Sequence, residues 1–160
     1  MAKYKKITAA LILAAMTSST AFAQDSHAGH RHFSVAGTTV SGYGVGNISG
    51  VECSAVLSVT VGPNIGAPHE GHAEYADVYI ENFGTGCDNK TVSARVFANG
   101  TFNVTGSTGL PVPCTVPGSG TVALSNFSAV EVLAAVSPIS LGPCVLSGTF
   151  LVGPTVQVHH

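Results

Sequence analysis

Histidine is the residue type here that most readily does chemistry, and seven are present. His27, His30 and His32 lie early, His69 and His72 sit in a Gly- and Pro-containing stretch, and His159 and His160 close the chain. Neutral imidazole is a good ligand for borderline ions such as Zn²⁺ and Cu²⁺, and His69-Glu70-Gly71-His72 offers two nitrogens and a carboxylate. A firm site needs three or four ligands, each oriented by a partner of its own. His69, Glu70 and His72 are therefore the first metal candidates and His27, His30 and His32 the second. The expectation is weak Zn²⁺ or Cu²⁺ binding at most and no resident cofactor, set against the plain alternative of solvated loop and terminal residues.

Cys53, Cys87, Cys114 and Cys144 form an even set. In an exported chain such thiols oxidise and stay oxidised. Three connectivities are open, and the hairpin pattern described below favours Cys53 with Cys87 and Cys114 with Cys144. Each bridge closes a loop of about 30 residues, with stabilisation of roughly 3 to 4 kcal/mol in the chain-entropy model. A four-cysteine zinc site would use the short C-x-x-C spacing, which these cysteines lack.

Catalytic patterns are missing. The sequence contains no G-x-S-x-G elbow, no H-E-x-x-H and no Gly-rich phosphate loop. Oxidised cysteines supply no thiolate, and the carboxylates fall mostly on loops and outward strand positions. The chain is expected to be non-catalytic.

Export is expected from the first residues. Lys3, Lys5 and Lys6 precede an apolar stretch from Ile7 to Met16, and Ala21-Phe22-Ala23 is a small-x-small cleavage pattern, so residues 1 to 23 read as a secretory signal peptide. The predicted product, residues 24 to 160, is periplasmic or extracellular. No later segment approaches the ~20 uninterrupted apolar residues of a membrane-spanning helix. Beyond the signal, the basic residues are Arg31, Lys90 and Arg95, against eight Asp and Glu in the chain. So acidic a product repels polyanions, and nucleic-acid binding is excluded on that ground.

Strands must hold these residues in place. Ala55, Leu57, Val59 and Val61 alternate with Ser54, Ser58 and Thr60. Ala76, Val78 and Ile80 alternate with Asp77, Tyr79 and Glu81, and Val92, Ala94 and Val96 alternate with Ser93 and Arg95. The same period of two continues through Phe102 and Val104, Val122 and Leu124, Val130 and Val132, then Leu146, Phe150 and Val152, and Val156 and Val158. Period two with β-branched residues and Gly, Pro or Asn punctuation means strands, and no stripe at helical spacing follows the signal. The expected fold is all-β: an antiparallel β-sandwich, with an Ig-like or barrel-like arrangement as the alternative, stapled by two disulfides. Residues 33 to 160 form one domain, and 24 to 32 read as a flexible His-containing tail. Cys53 and Cys87 flank the first clear hairpin, so their bridge would join its open ends. Ile48-Ser49…Cys53…Val61-Gly62-Pro63 and Ile139-Ser140…Cys144…Val152-Gly153-Pro154 share six residues at identical spacing, the mark of a duplicated hairpin if not of chance.

With strands and cysteines placed, the chain resembles the PraB family of small secreted bacterial proteins, described as activators of alkane oxidation. The likeness rests on Phe33-Ser34-Val35-Ala36-Gly37, on Cys53-Ser54-Ala55-Val56-Leu57, on Gly109-Leu110-Pro111-Val112 before Cys114, on Gly118-Ser119-Gly120-Thr121-Val122, and on Leu141-Gly142-Pro143-Cys144-Val145-Leu146-Ser147-Gly148-Thr149. Two departures are the absence of Trp and a His-bearing loop at 69 to 72 that looks like an insertion. The resemblance implies an extracellular, non-catalytic protein assisting hydrocarbon uptake or dispersal, with apolar surfaces or hydrocarbons as partners. The rival readings are a surface or fibre subunit that self-associates by strand addition, through residues 149 to 158 or 33 to 40, and metal sequestration through the histidines.

Overall fold

A computed structural model describes residues 31–110 and 117–159. Their ordered elements are strands alone: β1 (His32–Phe33), β2 (Thr39–Ile48), β3 (Val51–Val61), β4 (Tyr75–Phe83), β5 (Lys90–Phe97), β6 (Thr101–Thr108), β7 (Gly118–Asn126), β8 (Val132–Leu141), β9 (Cys144–Gly153) and β10 (Val158–His159). Strands β2 to β9 follow one another around a closed antiparallel barrel, and the short β1–β10 pair is a separate two-stranded sheet.

The barrel replaces the expected sandwich. What decides between them is whether β9 returns to β2, and it does, in unbroken register from Ser41↔Gly153 to Ile48↔Leu146. Glycine makes that closure possible. A methyl at Gly44 would run into the Thr149 carbonyl oxygen and the Phe150 ring, and one at Gly148 would sit 2.5 Å from Phe150 Cζ. Gly42, Gly44 and Gly46 are all buried on the inward side of β2, which leaves room for the Phe150 ring reaching across from β9.

Inward positions are the alternating apolar residues read from the sequence. Ala55, Leu57, Val59 and Val61 on β3, Val92 and Ala94 on β5, Phe102 and Val104 on β6, and Val122 and Leu124 on β7 are all buried in one core. Val130 departs from the expectation: it is 45% exposed, in the turn before β8. Outward positions carry Ser, Thr, Asp and Arg, including the cross-strand hydroxyl pairs Thr39–Thr60 and Thr91–Thr108. The interior is apolar, whereas the lumen of a lipid-facing barrel is polar. Two bulges interrupt the ladder, one at Ser93/Ala94 and one between Val136 and Ile139. The second holds Pro138, whose missing N–H a regular ladder would not tolerate.

Cys53 and Cys87 are bridged, with Cα atoms 5.6 Å apart. The bridge spans the open end of the β3–β4 hairpin, as expected. It is the one disulfide shown between described residues. Cys144 is fully buried and disulfide-bonded; Cys114, its expected partner, lies outside the described residues. The two repeated segments map onto the neighbouring hairpins β2–β3 and β8–β9, with Cys53 and Cys144 near the starts of β3 and β9.

Candidate functional site

The inward side chains leave an apolar cavity of about 110 Å³ inside the barrel. Phe33 and Val156 line it at one end, Ile48 and Leu146 at the other, and Phe102 and Phe150 along its wall. Asn47, Asn82 and Ser147 are the polar lining residues. Of these, Asn82 is 3% exposed on β4. Its Nδ2 donates to the Lys90 carbonyl at 3.0 Å. Its Oδ1 faces β2, where a methyl added at Gly46 would stand 3.5 Å away. Apart from Asn47, Asn82 and Ser147 the lining is apolar, the usual character of a small-molecule pocket.

One end of the cavity is capped by segments from far apart in sequence. Phe33 exchanges two backbone hydrogen bonds with Ala73, both 2.8 Å, and pairs with Val158 across β1–β10. Phe33, Ala73, Val156 and Val158 are buried together in the core. Asn126, at the end of β7, holds β10 in place: its Oδ1 accepts from the Val158 N–H at 2.8 Å and its Nδ2 donates to the Val158 carbonyl at 2.9 Å. Gln157 Nε2 reaches the Ser128 carbonyl at 3.0 Å.

The same cap gathers histidines. His32, read as part of a tail, is buried in β1 opposite His159. Ring centroids are 4.3 Å apart for His32–His69, 6.1 Å for His32–His72, 6.4 Å for His69–His72 and 5.1 Å for His72–His159. Glu70 is exposed and makes no hydrogen bond or ion pair with the cluster. His27, His30 and His160 lie outside the described residues. As the rings are oriented, no three His, Cys, Asp or Glu side chains among the described residues enclose a common metal position. Sequence reading paired His69 with His72 and His32 with the tail. It had no local signal for joining the two groups, which the Phe33–Ala73 bridge brings together, nor for adding His159, which β1–β10 pairing delivers from the far end of the chain.

On the outer wall, Tyr43, Val56, Tyr79 and Phe83 are each nearly half exposed. They occupy adjacent strands β2 to β4, with Tyr43 directly opposite Val56. Beside them, Arg95 pairs with Asp77 through Nε at 2.8 Å and Nη2 at 3.0 Å, its guanidinium 4.0 Å above the Tyr75 ring. The hydrogen bond to Asp77 holds the Arg95 guanidinium above its ordinary range.

Comparison of the chain with known proteins finds no match among family models, curated proteins or solved structures.

Proposed function

We propose that this protein is an exported, non-catalytic binder of hydrocarbons that assists their uptake or dispersal, with the barrel interior as the seat of the guest. The observation that carries the reading is the apolar cavity. An engineered dry cavity of ~150 Å³ lined by aliphatic and aromatic side chains binds benzene. The 110 Å³ here suits a short alkyl segment or a small hydrocarbon. The exposed Tyr43, Val56, Tyr79 and Phe83 on the outer wall add a surface able to meet an oil–water boundary. The resemblance to secreted proteins of alkane oxidation points the same way. Assembly by strand addition has less to stand on, since residues 149 to 153 lie within β9 between β2 and β8 and each barrel strand has a neighbour on both sides, with β6 and β7 meeting only over Thr101–Val104.

The test uses the mature chain and n-hexane. Methyl NMR spectra of the wild type should shift saturably at Val78, Val104 and Ile139, which line the cavity. A variant with Ala94→Leu and Ala134→Leu, two small lining residues enlarged, should lose the response while keeping its β circular dichroism. No saturable shift in the wild type, or an equal shift in the filled variant, overturns the proposal.

A further inference from the structure

Four histidines from three distant parts of the chain meet at the cap, and the hydrocarbon reading does not use them. We propose that His32, His69, His72 and His159 form a binding site for one borderline divalent transition-metal ion of the Zn²⁺ or Cu²⁺ class. Spacing is the first argument. Imidazole nitrogens about 2.0 to 2.1 Å from a shared tetrahedral ion place their ring centroids about 5 Å apart. Four of the six ring pairs have centroids 4.3 to 6.4 Å apart, on either side of that distance, and His72 is the ring that joins His159 to the other two. The rings are partly stacked, with interplanar angles of 12° for His72–His159 and 18° for His69–His72. Ligation therefore asks for side-chain rotation that turns nitrogens toward a common centre.

The backbone beneath the rings is already fixed, which is the second argument. His32 and His159 are cross-strand partners. The paired hydrogen bonds between Phe33 and Ala73 lock His32 beside His72. In the loop, the His72 N–H donates to the His69 carbonyl at 3.1 Å, and Asn64 Oδ1 accepts from the N–H groups of Gly66 and Gly71 at 2.8 and 3.1 Å. Holding ligands on an ordered frame is what distinguishes a site from a tail of histidines.

The third argument is His72 itself. Its Nδ1 is buried with no hydrogen-bond partner, and buried polar atoms ordinarily have one. An ion would satisfy it, since nitrogen donors of this type suit Zn²⁺ and Cu²⁺. The ion would also tie β1 and β10 to the loop over the cavity, because Phe33, next to His32, lines that cavity.

The test is calorimetry of the mature chain with Zn²⁺ alone, and with Cu²⁺ for electron paramagnetic resonance, in the absence of any apolar guest. One Zn²⁺ should bind with Kd below about 10 µM, roughly −7 kcal/mol, and Cu²⁺ should show coupling to several nitrogens. A control carrying His27→Gln, His30→Gln and His160→Gln should retain that affinity. The single variants His69→Gln and His159→Gln, at half-buried and exposed positions that leave the barrel core untouched, should each weaken binding about tenfold or more. Wild-type affinity weaker than 10 µM, undiminished binding in both single variants, or loss of binding in the control would overturn the proposal. Failure of hexane binding would leave this result unaffected.

Discussion

The two ends of the barrel are held by different physics. At the end that carries the β2–β3 and β8–β9 turns, Cys53–Cys87 ties the start of β3 covalently to the segment after β4, and Cys144 at the start of β9 is oxidised as well. At the opposite end, closure depends on a two-residue strand pair, backbone bonds between Phe33 and Ala73, and the side chain of Asn126. A covalent tie limits the unfolded chain and leaves little local freedom in the folded one. A cap of a few hydrogen bonds and apolar contacts opens at a cost well below that of global unfolding. The guest and the metal ion proposed above would therefore both act at the histidine end.

The strongest way to break this contrast is at the covalent end. Replacing Cys53 and Cys87 together by Ser should lower stability by about 3 to 4 kcal/mol, the loss expected for a loop of this length. Urea unfolding under non-reducing conditions measures it, and a loss below about 1 kcal/mol would mean that the ladder alone holds that end. Next is Asn126→Ala, which leaves the Val158 N–H and carbonyl without their partner. A loss of about 1 to 3 kcal/mol is expected. Hydrogen exchange should quicken first at Phe33, Ala73 and Val158, with β3 and β4 amides protected as before. Uniform acceleration throughout the barrel would show that cap and barrel open as one unit. The smallest effect is expected from Asp77→Asn on the outer wall. That ion pair is exposed, and solvent and salt screen such pairs. The thermal midpoint should stay within error of the wild type, and a clear drop would place stability in the outer wall instead of the two ends.

Some strands were legible because one side is apolar and the other polar. In β3, Ala55, Leu57, Val59 and Val61 announce a strand wherever they pack. β2 is different. Its inward residues are Gly42, Gly44 and Gly46 while Tyr43 and Val45 face outward, so its alternation is inverted and its strand went unread. The cavity was illegible for a related reason. Whether inward side chains fill a barrel or leave a space depends on how rings such as Phe102 and Phe150 lie across from glycine, which periodicity does not encode. Of the candidate metal residues, His69, His72 and His32 are brought together, while Glu70 stays apart, pointing to solvent from the same loop.

By itself the sequence determined the all-β class, the inward and outward sides of most strands, and the Cys53–Cys87 bridge, because each follows from local alternation or from a hairpin's own geometry. Only the tertiary structure decided that β9 returns to β2 to close a barrel, that a cavity remains inside it, and that His32 and His159 join the loop histidines. Those depend on pairings between residues far apart in the chain, from Phe33 with Ala73 to His32 with His159, and the free energy of such contacts is set by shape complementarity in three dimensions, on which no short window of sequence reports.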